Sequence, residues 1–453
     1  MKRLTVEQHR KRVQNMRCAE EKVQKYFKKM RFHDYIPGHV VYNMGCYPRK
    51  VEMAPTEYDY TALKRLKDCG FQWVQLHDDV LDRQRLYGGN TFMNGDWEGA
   101  RQFIVLCHHF GHKILPYISP SYFPPRDPEF REEFLGLKLA FENSITSLSS
   151  CSMGSPEWRE FNFRNTFDVL DRLEFDGVYG DFGYEVFLGA CNKEWESVGN
   201  SDKALYATYP YDPEAEDFFG MIYAELKSRG LYYKLHLGGF QPIPVKDKVY
   251  DYLWVGEAGK NVKDIISCKN HEPYLAPAFD RNSAPLPDPE LAYTLTIPFA
   301  QFPILYYGRP RGTECRNNVP GATYYREFPV DEDYEFYCAH PNGPYRYSEW
   351  SSFPDDPDEF DRATQYLALY KPMVEEGSVV RMEIRETSLI TSAIPEDVYI
   401  SMFTNEEQYL VVGNTTEGDY TLTLTDDWTD RQTGKTAKEF TVAKNRLLFL
   451  VKA

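Results

Sequence analysis

The chain has no excess of positive charge. Its 52 Lys and Arg residues stand against 68 Asp and Glu, a formal net charge of -16. Such a surface repels phosphate backbones and anionic bilayers, so no nucleic acid and no membrane is expected as a partner. No apolar run approaches the ~18 residues of a membrane span. The opening stretch MKRLTVEQHRKRVQNMRCAEEKVQKYFKKM contains no apolar signal segment. The 9 cysteines form no CxxC pair, and their odd number speaks against a disulfide framework. Buried free thiols in a reducing compartment fit better, which predicts a cytoplasmic protein. The glycine-rich GGNTFMNG and LGGF are not followed by GK[ST], so neither is a phosphate loop, and GxSxG and HExxH do not occur.

What the chain does have is length and aromatic side chains. Its 453 residues are 42% hydrophobic, enough for a large core, and 34 Tyr, 29 Phe and 7 Trp bring the aromatic share to 15%. A tyrosine joins a flat apolar ring to a polar tip, which suits surfaces that bind polar, ring-shaped ligands. From residue 38 a rhythm sets in. Apolar runs at 38–45, 71–77, 112–119, 176–183, 232–239, 251–259, 273–280 and 302–309 alternate with amphipathic helical stretches. Strands buried on both faces read as continuous apolar runs. Two of the helical stretches end at Gly70 and Gly111, and another starts with Ser155 as N-cap and Pro156 behind it. Eight strand–helix units predict a (β/α)8 barrel, an α/β TIM fold, over residues 34–377. Residues 1–33 read as an N-terminal helix packing on the barrel. Residues 378–453 alternate apolar and polar positions between turns, the period of a small antiparallel β-sandwich.

In such a barrel the chemistry gathers where strands end. Asp181 closes the fourth run and Glu257 the sixth, each flanked by glycines that would let a substrate approach the backbone. Two carboxylates facing across the mouth can act as nucleophile and acid on a glycosidic bond. A separation of about 5–5.5 Å gives retention, and about 6.5–9.5 Å inversion. Glu185 and Asp280 are reserve acids, while Asp176 starts its run and is expected to serve stability at the barrel bottom. A ring of polar strand ends is expected to meet the substrate: His77 and Asp78, Tyr117, Lys234 and His236, Trp254, Asp280 and Arg281, and Arg309. His77 with Asp78 and Asp79 could hold a divalent ion. His108 and His112 have a metal-pair spacing but fall at a helix end away from the mouth, so no metal is assigned. The run of nearly fifty residues after strand eight is expected to be functional, an oligomer contact being the bland alternative.

The stretches SPEWREF and FDGVYGDFG, the strand HKILPYISP and the tail LTLTDDWTDRQTGK resemble the (β/α)8 glycoside hydrolases related to clan D α-galactosidases. The resemblance implies a retaining mechanism with Asp181 as nucleophile and Glu257 as acid/base, without a cofactor. Two positions depart from that family. Tyr179 stands where the α-galactosidases carry lysine, and Glu257 where they carry Asp, so no galactose specificity is implied. The reading is a glycosidase acting on a small glycoside or oligosaccharide. A barrel that binds carbohydrate without cleaving it, and a lyase or metal-dependent hydrolase, are the alternatives. A homo-oligomer stays open.

Overall fold

The computed structural model describes residues 5–8, 11, 29–44, 52–76, 95–120, 122–123, 129–135, 149–182, 213–237, 249–254, 288–309 and 357–453. In chain order, β1 (Lys29–Arg31) comes first. The strands β2 (His39–Asn43), β3 (Trp73–Leu76), β4 (Lys113–Leu115) and β5 (Tyr117–Ile118) follow. After the antiparallel pair β6 (Tyr122–Phe123) and β7 (Ser149–Ser150) come β8 (Gly177–Phe182), β9 (Tyr232–Leu237), β10 (Tyr252–Trp254) and β11 (Leu305–Gly308).

The parallel strands form a continuous arc in the order β11, β2, β3, β4 and then β5, β8, β9, β10. β4 and β5 are one stave interrupted at Pro116, which has no N–H to offer a neighbour. The Pro116 carbonyl still accepts from the Tyr179 N–H at 2.8 Å, and the Ile114 carbonyl from Asp176 N–H at 3.0 Å. Staves one to six and stave eight are thus in place, with β11 beside β2 as closure demands. The seventh run, residues 273–280, lies outside the described residues. The chain forms the expected (β/α)8 barrel.

Helices α1 (Glu57–Asp68), α2 (Trp97–His109), α3 (Pro156–Arg172) and α4 (Pro213–Arg229) alternate with these strands. Their starts follow local chemistry. Thr56 and Asp59 close a reciprocal capping box on α1, Asp96 accepts from Gly99 N–H on α2, and Ser155 accepts from Trp158 N–H just before Pro156 on α3. Strand residues alternate faces. On β8, Val178 therefore packs outward with Phe167 and Phe218, while Tyr179 and Asp181 face the barrel interior. The barrel is plugged below by rings: Trp73 lies 5.7 Å from His39, 4.9 Å from Tyr232 and 5.4 Å from Tyr252. Each such buried ring contributes roughly 2–3 kcal/mol through removal from water.

After α5 (Glu290–Thr294) and α6 (Pro357–Tyr370) the texture changes to β12 (Val379–Arg381), β13 (Val398–Thr404), β14 (Gln408–Asn414), β15 (Tyr420–Asp430), β16 (Thr436–Val442) and β17 (Arg446–Lys452). These pair antiparallel, as the alternation predicts. A register shift between Thr423 and Trp428 bends β15: β16 pairs with it on both sides of the shift, β17 joins only at Trp428–Asp430, and the sheet wraps its own core of a small β-sandwich. One face, with Ile400, Val412 and Leu450, builds that core. The other face, with Phe403, Val411 and Phe449, joins the core of the barrel.

One expectation is corrected. Residues 1–33 do not read through as one helix, because Lys29–Arg31 is a strand paired with β12. The stretch has no β period of its own, and the pairing across some 350 positions overrides its helical pattern. Among the described residues no helix is long and apolar enough to cross a membrane.

Candidate active site

The C-terminal ends of β5, β8, β9 and β10 bring four expected site residues together. Tyr117 comes from β5, Asp181 from β8, His236 from β9 and Trp254 from β10. The register explains why: Tyr117 pairs with Tyr179, Asp181 with His236, and His236 with Trp254, so these side chains share the interior face. The Tyr117 hydroxyl donates to Asp181 Oδ2 at 2.8 Å, and His236 Nδ1 lies 2.8 Å from Asp181 Oδ1. The carboxylate therefore has both oxygens engaged, yet its side chain remains 25% exposed. His236, by contrast, is buried, its ring stacked on Trp254 at 4.9 Å and 22°.

Tyr179 completes the group. Its hydroxyl lies 2.9 Å from His236 Nδ1, and its ring is 4.8 Å from Trp254 and 5.7 Å from Tyr117. Sequence reasoning noted Tyr179 only as a departure from a family pattern. The available signal was its spacing: two residues before Asp181 on a strand means the same face.

Lys234 belongs to the same strand but to a deeper level. It pairs with Tyr179 and Tyr252, its side chain is fully buried, and its amine nitrogen sits 5.1 Å from the centre of the Trp254 ring. Among the described residues no acceptor meets that nitrogen. Loss of water pushes its pKa well below the usual lysine range, so the ring contact does not hold the charge in place. His39, one level down, is also pushed toward its neutral form, by burial first and by Lys234 second.

Two expectations change here. Gly180 does not leave room for a substrate. It faces the helical shell, where an added Cβ would lie 2.8 Å from the Tyr233 ring. Arg309 does not face the mouth as an open donor either. Its Nε and Nη2 grip Asp59 at 3.0 and 2.7 Å, and its Nη1 and Nη2 also donate to the carbonyls of Glu52, Met44 and Ala54. Asp59 is completely buried and takes further hydrogen bonds from Tyr42 and from Thr56. Burial pushes the Asp59 carboxyl up, but these donors outweigh it and hold it below the usual carboxylate range. Arg309 is a clasp that ties the end of stave eight to the start of α1.

The remaining site expectations, Glu257, His77, Asp78, Asp280 and Arg281, with the reserve acid Glu185, lie outside the described residues, as does the long segment after strand eight. His108 and His112 diverge: the first meets Asp176 at 2.9 Å, the second the Leu63 carbonyl at 2.9 Å.

No protein-family model matches the chain, and no curated protein matches it in sequence. Solved structures share its fold. A noncanonic maltogenic α-amylase from Thermotoga neapolitana aligns with a TM-score of 0.53 at 13% identity, covering 92% of this chain and 98% of that one. An α-amylase from Geobacillus thermoleovorans, complexed with acarbose, aligns at 0.54 and 10% identity over 92% of this chain and 98% of its own. A GH36 α-galactosidase from Geobacillus stearothermophilus, in complex with stachyose, aligns at 0.54 and 9% identity over 93% of this chain but 56% of its own length. At such identities the likeness establishes the architecture, a (β/α)8 barrel followed by a β domain.

Proposed function

We infer that the chain is a glycoside hydrolase that uses Asp181 as its nucleophile. The observation that carries this reading is the state of Asp181: a partly exposed carboxylate at the C-terminal end of stave four, with both oxygens oriented by Tyr117 and His236. Hydrogen bonds to the charged form favour ionisation, which a nucleophile needs. The solved structures of the same fold are named as amylases and an α-galactosidase, which adds support.

In this mechanism Asp181 attacks the anomeric carbon while Glu257 protonates the leaving oxygen. Glu257 then takes a proton from water, which releases the sugar with retained configuration. The chemistry requires no cofactor. His77, Asp78, Asp280 and Arg281 are proposed to bind hydroxyl groups. The acidic surface favours a small, uncharged glycoside or oligosaccharide as substrate. A panel of nitrophenyl glycosides, assayed with wild type, Asp181→Asn and Glu257→Gln, tests this. Each substitution is expected to lower kcat by about 10³-fold or more. Full activity in both variants overturns the mechanism. Calorimetric sugar binding with no turnover on prolonged incubation would make the barrel a carbohydrate-binding protein instead.

A further inference from the structure

The site holds a group that the two-carboxylate reaction does not use. His236 Nδ1 lies within hydrogen-bond distance of two oxygens, Asp181 Oδ1 at 2.8 Å and Tyr179 Oη at 2.9 Å. An ionised carboxylate only accepts, so the imidazole carries its proton on Nδ1. The ring has little freedom to do otherwise. It is 1% exposed, stacked on Trp254 at 4.9 Å and lies over Tyr179 at 21°. The other basic side chain that β9 turns inward, Lys234, cannot replace it, since its amine reaches no acceptor among the described residues.

We propose that His236 is the positioning residue of this site: its Nδ1 proton fixes one oxygen of Asp181, Tyr117 fixes the other, and the imidazole itself does not touch substrate. This rests on the reading of Asp181 as the attacking carboxylate. A carboxylate held at both oxygens presents one fixed lone-pair direction to the anomeric carbon, and small misplacements at a reacting centre carry large rate penalties. The sequence alone suggested a sugar contact for His236. Its burial beneath the partly exposed Asp181 favours the supporting role.

Among the described residues, the titratable groups around His236 are Tyr179 and Asp181 from β8, Tyr117 from β5 on the far oxygen of Asp181, and Lys234 from its own strand, while Trp254 from β10 carries no charge. Asp181 is the one among them that a lost imidazole donor would shift across the acid range. The test uses the full chain. His236→Phe preserves the stack on Trp254 and removes the donor, whereas His236→Asn puts an amide N–H near the place of Nδ1. On the best nitrophenyl glycoside of the panel, His236→Phe is expected to lower kcat about 100-fold with KM changed less than about threefold. The acid limb of kcat/KM should move up by about one pH unit, because the carboxylate has lost a donor to its charged form. His236→Asn should recover at least about tenfold of the lost kcat. A raised KM with kcat retained would make His236 a substrate contact and overturn the proposal, as would an asparagine no better than phenylalanine.

A readout independent of turnover accompanies these. In ¹⁵N-histidine-labelled protein, the Nδ1–H resonance that disappears in His236→Phe should shift or broaden in Asp181→Ala. A resonance indifferent to Asp181→Ala overturns the proposal whether or not any glycoside is cleaved. If no glycoside is cleaved and the resonance does respond, the glycosidase reading fails while the His236–Asp181 link stands.

Discussion

Two aspartates bracket β8, one at each end, and they live in opposite chemistries. Asp176 precedes the strand at the barrel bottom. It meets His108 at 2.9 Å, Lys113 at 3.2 Å and the Ile114 N–H at 2.9 Å. Asp181 lies at the mouth and meets two aromatic side chains, the phenol of Tyr117 and the imidazole of His236. The exposures are similar, 19% and 25%, so burial does not separate the two residues. The partners do. Two basic groups and a backbone amide consume the Asp176 carboxylate, and the same arrangement recurs at the bottom of β10. There Asp251 meets buried Lys227 at 2.5 Å and the Tyr233 N–H at 2.8 Å. At the bottom, acids stitch strands together. At the top, the partners described for the acid are a phenol and an imidazole, which orient its two oxygens.

Substitutions at the two ends should therefore separate activity from stability. Asp181→Asn is expected to cost about 10³-fold or more in kcat while the unfolding free energy moves by less than about 1 kcal/mol, read by urea titration. A melt lowered as far as the activity would erase the distinction. Asp251→Ala should do the reverse. It removes the carboxylate 2.5 Å from Lys227, which is 3% exposed, and the acceptor of the Tyr233 N–H, and should destabilise the protein by about 3 kcal/mol, with kcat per folded molecule within about twofold of wild type. Asp176→Ala should follow at about 2 kcal/mol, less because His108 and Lys113 each retain 35% exposure and can turn to water.

Much of this contrast could be read before any coordinates. Asp176 and Asp181 differ in their place along an apolar run, and in a parallel barrel that place assigns bottom or mouth. The staves themselves were legible because strands covered on both faces carry unbroken apolar runs. What sequence could not supply was the partner of each polar group. Arg309 and Lys234 look like any polar strand end. The first closes on Asp59 across 250 positions, and the second stops one level below the mouth because β9 continues to Leu237. Tyr117 and His236 were singled out as sugar contacts, whereas among the described residues both meet Asp181 at 2.8 Å. β1 was hidden for a similar reason, since three residues, KMR, carry no period and their pairing partner β12 lies at the other end of the chain.

The smallest expected effect sharpens the bottom half of the comparison. His108 is held above the usual histidine range, first by its hydrogen bond to Asp176. Asp176 is pushed up by burial, but His108, the Ile114 N–H and Lys113 outweigh this and hold it below the usual carboxylate range. A histidine with a raised folded pKa stabilises fully below its unfolded value of about 6.5, and the gain fades as pH rises through the folded value. An aspartate with a lowered folded pKa stabilises above about 4, and that gain fades as pH falls through the folded value. The two windows overlap between about pH 4 and 6.5. The stability difference between wild type and His108→Gln should peak there, at under about 1 kcal/mol given the solvent around His108, and shrink toward zero by about pH 9. Urea titrations of both proteins at a series of pH values measure it. A difference that stays constant from pH 5 to about 9 would mean the clasp holds without charge, and Asp176 would then differ from Asp181 in geometry alone.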